Sequence, residues 1–256
     1  MIQYKMGDLG IGFNAMGKDI MTNKKNSKSS SLPETSNQLS TDAYNDIRKM
    51  IFLDEFRPGQ QVSARGLSER QKMSLTPVVQ ALKIFEHMGI VSHEANRGFF
   101  VEKISAQEVE EVYRLRELIE LSLLPDMIRN LDEKGEKLIE QALEEYFEAA
   151  RNKPIKFRLI KDINFHMTMA KLSGQNISVW ILRYLYDLLY LRFDKGLISY
   201  RPNDISGREH QAIFDAVISR DIEASKKVLR MHIRTICKGT LKSMNEIAME
   251  MEDIDF

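Results

Sequence analysis

From Thr41 onward, apolar side chains recur at helical spacing, and the spacing changes character before Val101. Tyr44, Ile47, Ile51 and Phe52 share a face by i, i+3, i+4 logic, which predicts a helix that Arg57-Pro58-Gly59 ends in a turn. A short helix through Leu67 follows, with a break near Lys72. Ser74 stands as N-cap of the next helix, which carries Pro77 in its first turn, where a missing N–H costs little. Val78, Ala81, Leu82 and Phe85 form its apolar face, and Gly89 ends it. Ile90-Val91-Ser92 and Phe99-Phe100-Val101 read as two short strands, joined by a loop that ends at Arg97-Gly98. Helix, helix, turn, helix, hairpin is the order of a winged helix-turn-helix.

Strand patterns then cease. Ser105 with Glu108 makes a capping box that opens a long helix toward Asp132, with a kink or break expected near Leu124 because Pro125 lies inside it. Further helices fit 134–151, 155–172, 177–199, 206–219 and 222–249. The fifth of the six opens on a second capping box, Ser206 with Glu209, and the sixth on Asp221. The fold class is mainly α: an N-terminal winged helix-turn-helix over 39–103, then an all-α bundle of about six helices over 104–256. Residues 1–38 are polar and aperiodic and read as a disordered tail, and the acidic ending from Glu250 to Phe256 as a frayed terminus.

Composition narrows the function. Lysine plus arginine and aspartate plus glutamate both total 37 in 256 residues, so only a local basic face could serve nucleic acid. A single cysteine, Cys237, excludes an intramolecular disulfide framework and fits a reducing cytosol. No apolar run approaches a membrane span, and no basic-then-apolar order marks a secretion signal. The expectation is a cytoplasmic protein without a membrane partner.

Three of the five histidines carry the chemistry. Asp162 and His166 lie one helical turn apart among Leu159, Ile163, Met169 and Ala170, which turn that face inward. His210 precedes Ile213, Phe214 and Val217, and His232 lies between Val228 and Ile236. If the three helices pack together, the four groups converge, with no other buried titratable group expected beside them. One carboxylate with three imidazoles suits a divalent transition metal: zinc, nickel, manganese or iron. The competing reading is a hydrogen-bonded core cluster. His87 and His93, at a helix end and near the wing, suit structural or solvent roles, and Cys237 a small core residue.

Pro58-Gly59-Gln60-Gln61-Val62-Ser63 and Ser74-Leu75-Thr76-Pro77-Val78-Val79-Gln80-Ala81-Leu82, with wing Gly98, resemble the DNA-binding domain of the GntR family. Arg116-x-x-Ile119-Glu120, Asp162-x-x-Phe165-His166, Ser173-Gly174-Gln175-Asn176, Glu209-His210-x-x-Ile213 and Asp221-Ile222-Glu223-Ala224 leading to His232-Ile233 resemble the effector domain of its FadR-type, or FCD, members. Six candidate helices favour the branch similar to VanR. The resemblance implies a homodimeric transcription regulator bound to a two-fold double-stranded DNA operator. It implies Asp162, His166, His210 and His232 as metal ligands below a cavity for a small carboxylate effector. Arg116 is the candidate partner of that carboxylate because guanidinium geometry suits it, and a salt bridge to a neighbouring helix is the competing reading. Arg65 matches a family arginine; Thr76 is suited to phosphate, Gln80 to adenine, Lys83 and the wing's Arg97 to charge. Leu75 and Val79 depart from the family, standing where it has arginines; Lys72 replaces the usual turn glycine, and Gln71 a usually apolar residue. Two other readings compete: a degenerate regulator acting by protein contact, and a metal-dependent enzyme, which would need a general base or nucleophile motif that the sequence does not display.

Overall fold

The computed structural model describes residues 34–192 and 203–252. Most of the stretch read as a tail (1–33), the end of the helix expected at 177–199, and 253–256 lie outside the described residues. The chain divides into two compact units with the boundary between Val101 and Glu102.

The first unit comprises α1 (Glu34–Phe52), β1 (Gln61–Val62), α2 (Ala64–Gln71), α3 (Leu75–His87), β2 (Val91–Glu94) and β3 (Gly98–Val101). α1 begins at Glu34, so 34–38, read above as tail, are helical. No glycine or proline interrupts the run ahead of Thr41, and helical backbone needs no apolar stripe to continue. The expected face of α1 is buried and packs on α3, with the Tyr44 and Phe85 rings stacked at 4.5 Å between centroids. β1, too short to show a period, was not expected; it pairs antiparallel with β3 through Val62 and Phe99, and β2 flanks β3 on the other side.

Ser63 caps α2 by accepting from the Gly66 amide at 3.1 Å. Lys72 ends that helix at φ 54°, the left-handed conformation that glycine adopts without a Cβ clash. Lys72→Gly is therefore expected to raise stability by about 1 kcal/mol in a denaturant titration, and an unchanged or lowered midpoint would refute strain at this turn. Beside it, both amide atoms of the Gln71 side chain are buried without a hydrogen-bond partner.

The second unit contains, among the described residues, six helices: α4 (Ala106–Asn130), α5 (Glu133–Asn152), α6 (Ile155–Leu172), α7 (Asn176–Arg192), α8 (Asn203–Ile218) and α9 (Ile222–Glu252). α4 lies against α6, α7 and α9, while α5 lies against α6 and α8. The Ser105–Glu108 capping box forms, and Asp221 caps α9 by accepting from the Ala224 amide at 2.9 Å. The break expected as one alternative near Leu124 does not occur, and the capping box expected at Ser206 does not form. α4 runs unbroken through Pro125, because burial of Leu123, Leu124, Met127 and Ile128 around it offsets a lost hydrogen bond and clash worth about 3 kcal/mol. Ser206 and Glu209 do not cap α8, which starts at Asn203 and places both inside the helix. None of the described helices is long and apolar enough to cross a membrane.

Candidate metal centre

α6 carries Asp162 and His166, α8 carries His210, and α9 carries His232. One donor atom from each of these buried side chains lies within 4.8 Å of the other three. Close approach of α8 to α5 helps to seat His210. A Cβ at Gly207 would meet a ring carbon of Phe147 at 2.9 Å, and the Tyr146 ring stacks on His210 at 4.2 Å.

Each imidazole is held from behind by an acceptor. His210 Nδ1 donates to the Ser206 carbonyl at 2.8 Å, and His232 Nδ1 to Glu209 Oε2 at 3.0 Å. His166 Nδ1 faces Glu120 Oε2 at 2.9 Å, an ion-pair distance without the alignment of a hydrogen bond. Carbonyls and carboxylates only accept, so His210 and His232 favour the tautomer protonated at Nδ1 and bare at Nε2, and the charge of Glu120 favours the same form of His166. The bare atoms then meet: His166 Nε2 and His232 Nε2 are 3.2 Å apart, and His210 Nε2 is 3.0 Å from Asp162 Oδ1 without hydrogen-bond geometry. In that tautomer the lone pairs repel unless a cation lies among them, whereas a His166 protonated at Nε2 donates to His232 Nε2 and leaves its Nδ1 bare toward Glu120. Bonds of about 2 Å from nitrogen and oxygen to such a cation hold neighbouring donors roughly 3–4 Å apart, so the set fits a metal ion.

Electrostatics agree. Burial pushes the His232 ring down to about 4 despite the opposing Glu209 carboxylate, and His210 and His166 lower it further, so it is neutral and ligand-competent near pH 7. Burial alone would raise Asp162, but the His210 ring at 3.0 Å, with His166 and His232 close by, holds it well below the carboxylate range. The expectation that no other titratable group lies buried beside the four is overturned. Glu120 (5% exposed) backs His166, and Arg116 (1% exposed) backs Glu120 through Nε–Oε1 at 3.0 Å. Arg116 overcomes the burial penalty of Glu120 and brings it to about 2.

Arg116 thus pairs within its own helix, donates to Tyr186 Oη at 2.8 Å, and keeps a buried Nη1 without a partner. A small, half-open hollow lies beside His166 and Glu120, walled by Leu123, Leu124, Met127 and Met169. The i, i+4 spacing of Arg116 and Glu120 amid apolar neighbours was the signal available for this pair. Ser206 holds His210 at i, i+4 within α8, whereas nothing local marks Glu209 as the holder of His232, a contact that needs α8 and α9 together.

The residues expected to meet DNA share the first unit. Arg65 is exposed on α2, 3.2 Å from Glu69. Ser74 occupies the N-cap position of α3 without a side-chain capping bond. Thr76, Gln80 and Lys83 lie exposed along α3, with Lys83 Nζ 2.6 Å from Glu86. In the wing, Gly98 has φ 92°, and Arg97 pairs with Glu94 and lies 4.9 Å over the Phe100 ring. Residues 39–101 match the family described as "Bacterial regulatory proteins, gntR family", and 111–235 match the FCD domain. The chain belongs to the GntR family.

This GntR member is 27% identical over 197 residues to the HTH-type transcriptional regulator YdhC of Bacillus subtilis, covering 76% of this chain and 88% of that one. It is 25% identical over 214 residues to the HTH-type transcriptional repressor RspR of Escherichia coli, covering 82% and 90%. McbR/YncC of E. coli shares its fold with a TM-score of 0.72 at 18% identity, over 80% of this chain and 98% of that one. The mainly helical architecture is that of a GntR domain followed by an FCD bundle, and the protein is a transcriptional regulator.

Proposed function

We propose that this GntR regulator is a metal-dependent sensor whose hold on a double-stranded DNA operator changes when a small carboxylate binds the FCD domain. The observation that carries the reading is the convergence of four buried donors whose imidazoles are each oriented from behind, leaving bare nitrogens around one point. Asp162, His166, His210 and His232 would hold a divalent transition metal, which when bound supplies a Lewis-acidic contact for a carboxylate. The small apolar-walled hollow beside His166 and Glu120 marks where such a ligand would approach the four donors. The unpartnered Nη1 of Arg116 supports a role in holding that carboxylate. Because truncation of Arg116 would strand Glu120, the informative change is Arg116→Lys, which keeps the charge and loses the fork.

A homodimer would place two winged domains on a two-fold site. Ile177 and Trp180 of α7 and Leu118 of α4 stand 77%, 53% and 62% exposed, surface that a second copy would cover. We read the metal site as a sensor and not as a catalyst, in keeping with regulators as relatives. Binding of the metal-loaded protein to its own upstream DNA, against scrambled DNA across a salt series, tests the reading. Specific binding should survive moderate salt, and the effective acid should change operator affinity by roughly 5- to 150-fold. An acid that binds while operator affinity stays constant would sink the switching claim. Arg116→Lys should weaken that acid about tenfold, out of proportion to its cost in thermal stability, and an unchanged affinity would remove Arg116 from the site.

A further inference from the structure

We propose that the recognition helix α3 reads A·T base pairs, through thymine methyl groups beneath Leu75 and Val79 and an adenine edge beneath Gln80. This rests on the DNA-binding reading above and specifies which bases the protein selects. α3 buries Pro77, Val78, Ala81, Leu82 and Phe85. Its outward residues include Leu75, Thr76, Gln80 and Lys83, with Val79 half-buried. No arginine occurs between Leu75 and His87, so the helix has no guanidinium to grip guanine O6 and N7, the commonest specific contact of the major groove.

What it has instead is apolar. Leu75 is 50% exposed at the first turn and Val79 follows one turn later on the same ridge. In the major groove the apolar feature that rewards such side chains is the thymine 5-methyl group. One turn rises about 5.4 Å, less than two base-pair steps of about 3.4 Å, so the ridge addresses neighbouring pairs. On the adjoining ridge, Gln80 Oε1 accepts from Ser40 Oγ of α1 at 2.5 Å. That bond fixes the amide plane, leaves Nε2 to donate to adenine N7, and leaves the second lone pair of Oε1 for the adenine amino group. Ser40 is thereby a positioning residue for base readout. Over 64–87, Arg65, Arg70, Lys72 and Lys83 are set against Glu69, Glu86 and the Glu55 that pairs with Arg70, a small positive excess that the neutral chain as a whole lacks.

The test is selection from random duplex DNA by the full-length, metal-loaded protein, followed by base-analogue substitution in the selected site. Half-sites should carry adjacent A·T pairs. Replacing their thymines with uracil, which removes only the methyl group, should weaken binding about 3- to 10-fold per site. The double variant Leu75→Ala with Val79→Ala should lose that uracil sensitivity, and circular dichroism should show it folded because neither side chain is fully buried. Ser40→Ala should relax selectivity at the adenine position alone. Selected half-sites that depend on G·C pairs, or uracil that binds as well as thymine, would overturn the A·T inference while leaving a sequence-specific regulator intact. Selection that enriches nothing would overturn both this inference and the operator reading on which it rests.

Discussion

Stripping the metal from this regulator should lower the melting temperature of its FCD domain by roughly 10 °C, and His232→Ala should abolish the response. At a free metal concentration about a thousand times Kd, a ligand that binds only the folded state adds about 4 kcal/mol, and each kcal/mol moves a domain of this size by roughly 2–4 °C. The physical cause is the repulsion relieved at the centre, where His166 and His232 bring Nε2 atoms to 3.2 Å and His210 approaches Asp162 to 3.0 Å. Differential scanning calorimetry with and without chelator, alongside metal analysis of the purified protein, gives the readout. A protein that binds no divalent metal and melts unchanged would make the cluster a hydrogen-bonded core.

The metal-free protein should also be acid-sensitive. The folded His232 pKa of about 4 lies below the ordinary 6.5, so the unfolded chain binds the proton first as pH falls. This contribution to stability is present above pH 6.5 and is lost progressively as pH falls toward 4. Asp162, held low in the folded state, adds its own loss at still lower pH, with the same sign.

Glu120→Ala is the substitution expected to harm the fold most, by about 3–5 kcal/mol. It removes the partner of an Arg116 that is 1% exposed, leaving an uncompensated guanidinium among Tyr113 and Tyr186, and it releases the ring of His166. Metal affinity should fall 10- to 100-fold in the same variant, as when an outer partner of a ligating histidine is lost. The double variant Arg116→Met with Glu120→Leu removes both charges. It should recover much of the stability but none of the metal affinity, since His166 still lacks its acceptor. A double variant no more stable than Glu120→Ala would show that the stranded charge is not the cause, and full metal affinity in either would remove Glu120 from the centre.

The sequence made some parts of this plain and others invisible, for identifiable reasons. The apolar stripes of α1, α3 and α6 were legible because a period of 3.6 residues survives in the chain itself, and the Ser105 capping box because it closes within four residues. The same local rule misled at Ser206 and Glu209. Their spacing satisfies a capping box, but the helix begins three residues earlier and commits the Ser206 carbonyl and the Glu209 carboxylate to His210 and His232. Pro125 does not break α4, since the burial that carries the helix past it comes from other helices.

By itself the sequence determined the order of the helices and of the wing hairpin, the inward faces of Asp162, His166, His210 and His232, and the absence of arginine from α3, because each depends on residues within a turn or two of one another. Only the tertiary structure decided that the four side chains meet, which nitrogen each ring turns to the centre, and that Arg116 spends its charge on Glu120. Those outcomes depend on distances between helices far apart in the chain, and such distances are set by packing of whole faces and not by any local pattern.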